Sequence, residues 1–140
     1  MIIGSGIDII DTRRIQKVIY KYGNRFKKRC FLTNEIKRSE KKINQINSYA
    51  KRYAAKEACS KALGTGLAKG IFWKDIEVIN DSFGKPYIKL HKNALNRIKI
   101  LSSKKYNIEI SLSDEKNYAI ANVIIYEIWK ISGIISNQLF

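Results

Sequence analysis

An alanine-rich segment near the middle of the chain limits the ways in which this sequence can fold. Alanine stands at positions 54, 55, 58 and 62, and the next glycine is Gly64. Alanine favours helix, Ser48 is a suitable N-cap, and glycine is the usual helix stop, so the pattern predicts a helix through 50–63. Small side chains let another element pack close to a helix. We therefore expect much of this helix to be buried.

The flanking segments alternate between strand and helix patterns. Apolar β-branched residues at 2–10 predict a buried strand, and the spacing from Thr12 to Gly23 predicts an amphipathic helix. A second helix is expected after Thr33. Further patterns predict strands at 76–79, 87–90, 108–112 and 118–126, and a helix at 92–103. This order predicts one α+β domain over 1–126, with a largely antiparallel sheet packed with helices, and a C-terminal extension over 127–140 of unassigned role.

The net charge of +15 calls for a polyanionic partner or for a compositional explanation. Nucleic acid, a membrane surface, an acidic protein or a phosphorylated cofactor would each be attracted to such a surface. Lysine outnumbers arginine 20 to 7, so a genome rich in A/T codons would also produce much of this charge. The two cysteines have no disulfide or zinc spacing. No export signal or clean membrane span is found, which predicts a cytoplasmic protein without membrane insertion.

The alanine-rich helix carries one candidate site. Glu57, Ser60 and Lys61 are three and four residues apart, so they are expected on one face of the helix. The plain alternative is an ordinary surface ion pair between Glu57 and Lys61. Two features oppose that alternative: the surrounding alanines indicate burial, and Gly64-Thr65-Gly66 would let a ligand approach the backbone closely.

Asp8 is the second candidate, because a lone carboxylate inside an apolar strand is costly unless it is paired or bound to a metal. A strand carboxylate and a helix carboxylate such as Glu57 suit Mg²⁺, which takes oxygen ligands from one or two carboxylates and from phosphate. A satisfied buried acid or a cap for the next helix are the alternatives, and spacing alone leaves them open. The chain has one histidine and no nucleotide-binding glycine motif or zinc spacing.

Four blocks of this sequence resemble the holo-acyl-carrier-protein synthases, the small single-domain phosphopantetheinyl transferases. They occur in the family's order and spacing over residues 2 to 126, and the second is the most specific. The blocks begin with Gly4-Ser-Gly6-Ile-Asp8, Lys51-Arg52-Tyr-Ala-Ala-Lys56-Glu57-Ala, Asp75-Ile-Glu-Val-Ile-Asn80 and Ile110-Ser-Leu-Ser-Asp114. The second block runs on to Gly64-Thr-Gly66, and the third to Gly84-Lys85-Pro86.

The resemblance implies the phosphopantetheinyl transferase fold and a magnesium-dependent transfer of phosphopantetheine from coenzyme A to a serine of apo-acyl-carrier protein, in fatty acid biosynthesis. It implies Asp8 and Glu57 as magnesium ligands, with Glu57 and Lys61 as the catalytic pair. It implies contact with coenzyme A for a set of residues in the second and third blocks. These are Arg52, Ser60, Lys61, Gly64, Gly66, Lys85 and Pro86.

The same resemblance implies that a basic helix docks the acidic carrier protein, and that the protein is a homotrimer with clefts between subunits. The docking residues would be Arg13, Arg14, Lys17, Lys21, Arg25 and Lys28. One departure is Asp114, where many members have histidine, and this puts a catalytic role for that position in doubt. A basic nucleic-acid-binding domain and a structural adaptor are the competing interpretations. The basic residues do not interleave with the aromatic ones, which disfavours nucleic acid as a partner.

Overall fold

The computed structural model describes residues 1–129, so most of the predicted C-terminal extension, 127–140, lies outside the described residues. The strands are β1 (Ile2–Asp11), β2 (Ile76–Asn80), β3 (Pro86–Leu90), β4 (Tyr106–Glu115) and β5 (Tyr118–Glu127). The helices are α1 (Thr12–Tyr22), α2 (Asn24–Cys30), α3 (Thr33–Glu40), α4 (Gln45–Ala62) and α5 (Lys92–Leu101), with a 3₁₀ turn at Trp73–Asp75. None of the helices in 1–129 is both long and apolar enough to cross a membrane.

The strands form two antiparallel sheets within the described residues. One has three strands in the order β1-β5-β4, and the other is the β2–β3 hairpin. In the larger sheet Asp8 pairs with Ala121, and Ile9 pairs with Ile120. The predicted α+β class with a largely antiparallel sheet is therefore confirmed.

Helix α4 is buried on most of its surface and lies against the three-stranded sheet. Its alanines Ala54, Ala55 and Ala58 are completely inaccessible to solvent. Gly4 and Gly6 of β1 face the helix, and a Cβ atom at either position would lie 1.9 Å from the carbonyl oxygen of Ala62 or Ala58. Small residues on both elements thus bring β1 and α4 into backbone contact, which places the Asp8 segment beside the end of α4.

The fold differs from the sequence-based predictions in three places. Ser48 is not the N-cap of α4: Asn44 is, since its side chain accepts a hydrogen bond from the Asn47 amide. Ser48 instead lies inside the helix, with its hydroxyl 2.8 Å from the Ser39 hydroxyl. Helix α2 was not expected, because its basic residues give no clear apolar period. Finally, β1 is not buried on both faces, because Ile7 and Ile9 project from the open face of the sheet and are exposed.

Candidate active site

A pocket of about 300 Å³ lies where β1, α1 and α4 meet, and it brings three predicted residues together. Asp8, Glu57 and Lys61 all line it. The Lys61 ammonium donates to the Asp8 carboxylate (Nζ to Oδ1, 3.1 Å) and to the Ile7 carbonyl oxygen (2.9 Å). Phe26 and Tyr53 form part of the apolar wall. Two carboxylates and one ammonium group therefore share a small pocket that is partly closed by aromatic rings.

The surroundings of Glu57 disfavour its charged form. Burial raises the pKa of the Glu57 carboxyl, the negative charge of Asp8 raises it further, and the Lys61 ammonium partly offsets both. A carboxyl group with a raised pKa is a better proton acceptor than an ordinary solvent-exposed one. The arrangement therefore suits a general base.

The donor set of this pocket also fits a hard divalent cation. Among residues 1–129, no group of three or more histidine, cysteine or acidic side chains forms a closed metal cage. Asp8 and Glu57 provide two carboxylates in an otherwise open pocket. Mg²⁺ binds in this manner, because it usually takes one or two carboxylates and fills its remaining positions with water and substrate phosphate. A cation between these carboxylates would also relieve their mutual repulsion.

Ser60 does not share the exposed face of Glu57 and Lys61, so that expectation is wrong. Its side chain is completely buried, and its hydroxyl donates to the Glu57 carbonyl oxygen (2.7 Å). The Ser60 carbonyl oxygen accepts from the amides of Thr65 (3.2 Å) and Gly66 (3.1 Å). Ser60 thus shapes the turn after α4, in which Gly64 has a φ of +79° that other residues rarely adopt.

Other predicted cofactor residues lie in a second cavity of about 400 Å³. Arg52, Gly84 and Pro86 line it, together with the basic side chains of Arg38 and Lys51. Arg52 is almost fully buried and donates to the Val78 carbonyl oxygen (2.8 Å) and to Asn80 Oδ1 (2.6 Å). It therefore holds the β2–β3 hairpin, at whose turn Lys85 is exposed. The two cavities share no lining residue, so one chain does not bring these residues to the Asp8 pocket.

The comparisons with known proteins agree with this geometry. The 4'-phosphopantetheinyl transferase superfamily matches residues 4–123 of the chain. The chain is 46% identical over 134 residues to a holo-[acyl-carrier-protein] synthase of Rhizobium rhizogenes, covering 95% of this chain and 100% of that protein. The chain belongs to this superfamily. The sequence resemblance is thereby confirmed.

Solved structures of holo-[acyl-carrier-protein] synthases share the fold. The enzyme from Neisseria meningitidis superposes with a TM-score of 0.79 at 31% identity, covering 91% of this chain and 100% of that one. The enzyme from Helicobacter pylori, solved in complex with coenzyme A, gives a TM-score of 0.76 at 30% identity, covering 87% and 99%. The predicted phosphopantetheinyl transferase fold is therefore confirmed.

The docking residues implied by the family are spread over α1 and α2 and differ in their surroundings. The Arg13 guanidinium is held by Asp11, with Nη2 2.6 Å from Oδ2, and this pairing lowers the pKa of Asp11 to about 2. Arg14 lines the Asp8 pocket. The others are exposed, namely Lys17, Lys21, Arg25 and Lys28. An exposed basic surface thus borders the pocket, while Arg13 already has an acidic partner.

At the position where the family often has histidine, Asp114 is held by contacts within the chain. It accepts from Asn47 Nδ2 (2.9 Å) and lies 3.1 Å from Lys51 Nζ. Burial alone would raise the pKa of Asp114, but these two donors outweigh it and lower the pKa. The charged form is therefore stabilised and fixes the start of α4 to the end of β4.

Sequence reasoning missed a buried ion pair between Glu35 and Lys56, whose side chains are both inaccessible to solvent. The only signal was the position of Lys56 between alanines of a helix that was itself expected to be buried. Glu35 lies in the first turn of α3, and its partner is 21 residues away along the chain. No local sequence pattern indicates an ion pair between residues so far apart in the chain.

Proposed function

We propose that the protein transfers the 4'-phosphopantetheine group of coenzyme A to a serine of an apo-acyl-carrier protein, releasing adenosine 3',5'-bisphosphate, in fatty acid biosynthesis. The observation that carries this proposal is the convergence of Asp8, Glu57 and Lys61 in one pocket beside a basic helix. Similarity to holo-[acyl-carrier-protein] synthases, one of them solved with coenzyme A, supports the same reaction.

In this reaction the serine oxygen forms a bond to the phosphorus nearest pantetheine, and the bond from that phosphorus to the bridging oxygen breaks. Glu57, directly or through a water molecule, accepts the serine proton. The Lys61 ammonium, held by the Ile7 carbonyl oxygen, supplies positive charge beside the leaving oxygen. The leaving group departs as adenosine 3',5'-bisphosphate.

Magnesium dependence is part of the proposal, with Asp8 and Glu57 as the protein ligands. A bound Mg²⁺ would neutralise the charge that develops on the pyrophosphate oxygens. The protein contributes a pocket in which its carboxylates face the phosphates, with Tyr53 and Phe26 limiting the access of water. Arg52, Gly64, Gly66, Lys85 and Pro86 remain the predicted coenzyme A contacts, whereas the buried Ser60 supports the turn after α4 and does not reach a ligand from within one chain.

We further propose a homotrimer in which the hairpin cavity of one subunit completes the Asp8 pocket of the next. Two observations support this. The two cavities lie apart in one chain. In addition, the open face of the larger sheet carries an apolar patch on β1 and β5, with Ile7 and Ile9 63% and 61% exposed and Tyr118 and Ile120 beside them. Apolar surface of this kind is typical of contacts between subunits.

The function is tested by incubating an apo-acyl-carrier protein with the protein, coenzyme A and Mg²⁺, and by measuring the intact mass of the carrier. We expect a gain of one phosphopantetheine group, lost when a chelator is added. A carrier whose acceptor serine is replaced by alanine is the matched control and should gain nothing. A folded protein that leaves several competent carriers unmodified would contradict the proposal.

A further inference from the structure

A glutamate and a lysine are completely enclosed in the interior, and the proposed reaction uses neither of them. Glu35 and Lys56 are both inaccessible to solvent. The Lys56 ammonium donates to Glu35 Oε1 (2.8 Å) and to the carbonyl oxygens of Ile76 (2.6 Å) and Trp73 (3.0 Å). A lysine ammonium has three hydrogens, so its donor capacity is fully used.

The Glu35 carboxylate extends this network to two further backbone groups. Its Oε1 accepts from the Leu32 amide (2.9 Å) at the start of α3, and its Oε2 accepts from the Val78 amide (3.1 Å) of β2. The pair thus connects α3, α4, the 3₁₀ turn and β2. Burying two charges is costly, and it is tolerated where the geometry satisfies both groups, as it does here.

The network lies between the two parts of the candidate site. Lys56 directly precedes Glu57 on α4, and the Trp73 ring stands 6.0 Å from the ring of Tyr53, which lines the Glu57 pocket. On the other side, Val78 lies in the strand that leads into the hairpin, and its carbonyl oxygen accepts from Arg52. A change at Lys56 would therefore shift the 3₁₀ turn and β2 relative to α4.

We propose that Glu35 and Lys56 are positioning residues, which fix α4 against the 3₁₀ turn and β2 and thereby set the placement of Glu57 relative to the cofactor hairpin. The inference rests on the proposed transferase function. Neither side chain touches substrate, and they act through the elements that they join. Catalysis is sensitive to such placement, because a displacement of about 1 Å can cost on the order of a hundredfold in rate.

The test uses the double variant Glu35→Gln/Lys56→Met, which removes both charges and leaves neither one buried alone. Kinetics are measured well below the melting temperature of the variant, where a loss of stability alone would leave kcat and KM unchanged. We expect a folded protein whose kcat/KM for coenzyme A falls by roughly tenfold or more, with unchanged affinity for the carrier. In a Trp129→Phe background Trp73 is the one remaining tryptophan, and its emission should shift because the 3₁₀ turn moves.

The matched control is Glu40→Gln, which breaks another ion pair of α3, to Lys27 at 2.6 Å. The side chains of that pair form hydrogen bonds with each other and with Tyr49, and with no group of the 3₁₀ turn or β2, so kcat and the KM for coenzyme A should stay within about twofold of the unmodified protein. A folded double variant with unchanged kinetics and unchanged Trp73 emission would overturn the inference. If the double variant does not fold, Glu35→Asp, which keeps both charges and shortens only one side chain, decides instead, and unchanged kinetics would again overturn the inference. Absence of transfer by the unmodified protein refutes the function instead, while the Trp73 emission still tests the positioning.

Discussion

At the scale of single residues, the site contains a carboxyl group whose charged form lowers the stability of the folded protein. Glu57 carries a carboxyl whose pKa is raised by burial and by the charge of Asp8. The folded protein therefore binds a proton at Glu57 more tightly than the unfolded chain does, and its stability is reduced wherever Glu57 is charged. Active sites commonly keep such groups at the expense of stability. Removal of the Glu57 charge should therefore raise stability while it lowers activity, and the two changes can be measured separately.

Glu57→Gln is expected to lower transfer by about 10²- to 10⁴-fold, the usual contribution of a general base. Without added magnesium it should also raise the melting temperature at neutral pH. That gain should vanish as the pH falls below the ordinary carboxyl pKa of 4.5, since both proteins are then uncharged at this position. Thermal melts between pH 4 and 8 and the carrier mass assay measure the two effects.

Glu115→Gln, at the exposed end of β4, is the control and should change neither activity nor the pH dependence. A Glu57→Gln protein that melts below the unmodified protein at neutral pH would show that the charge of Glu57 is stabilising. In that case the attraction between Glu57 and Lys61 would exceed the free-energy cost of burying the Glu57 carboxylate.

At the scale of elements, the site depends on the close contact of β1 with α4. Gly6 lies against the Ala58 carbonyl oxygen, and the two elements carry Asp8 on one side and Glu57 with Lys61 on the other. Interiors are close-packed, so an added methyl group must displace backbone rather than a flexible side chain. The distance between Asp8 on β1 and Glu57 on α4 therefore depends on the lack of a Cβ atom at Gly6.

Gly6→Ala is expected to destabilise the protein by about 1–3 kcal/mol or more, because its Cβ would overlap the Ala58 carbonyl oxygen. Denaturant unfolding measures the loss. Ser5→Ala is the matched control, since Ser5 is exposed on the opposite side of the same strand. Equal stability of the Gly6 and Ser5 variants would contradict the close packing of β1 on α4.

At the scale of the whole molecule, two surfaces meet near the Asp8 pocket. The basic residues of α1 and α2 border one side of the pocket, and the exposed apolar patch of β1 and β5 extends from it over the open face of the larger sheet. The first surface suits an acidic carrier and the second suits further copies of the chain. Each assignment has its own test.

Reversal of charge with Lys17→Glu/Lys21→Glu should raise the KM for the carrier by roughly tenfold and reduce its dependence on salt, because electrostatic attraction is lost. The KM for coenzyme A should not change. Steady-state kinetics at several salt concentrations provide the measurement. Lys99→Glu/Lys105→Glu places the same charge change away from α1 and should have little effect. An equal rise in both KM values would refute docking on α1.

Ile7→Glu/Ile120→Glu places two charges on the exposed apolar patch of β1 and β5 without changing a residue that lines the Asp8 pocket, and we expect it to convert the proposed trimer to monomers. Transfer should be lost at the same time, because the two cavities would no longer meet. Light scattering coupled to size exclusion gives the mass of the assembly. Ile100→Glu, on the exposed side of α5, should leave the trimer intact. A monomeric unmodified protein with full activity would refute the shared site.

The sequence by itself determined most of the local elements and the family. Apolar periods and caps are properties of neighbouring residues, so α1, the β2–β3 hairpin and the strands of the larger sheet were predictable. The Arg52–Gly66 block likewise indicated the family before any coordinates were considered.

Only the tertiary structure decided which side chains share an environment. It buried Ser60, paired Arg13 with Asp11, directed Arg52 to the hairpin and enclosed Lys56 with Glu35. Burial and long-range pairing depend on how separate elements pack, and residues far apart in sequence leave no periodic signal of their contact. For that reason the family of this chain could be predicted from its sequence, whereas the distribution of the predicted site residues over two cavities could not.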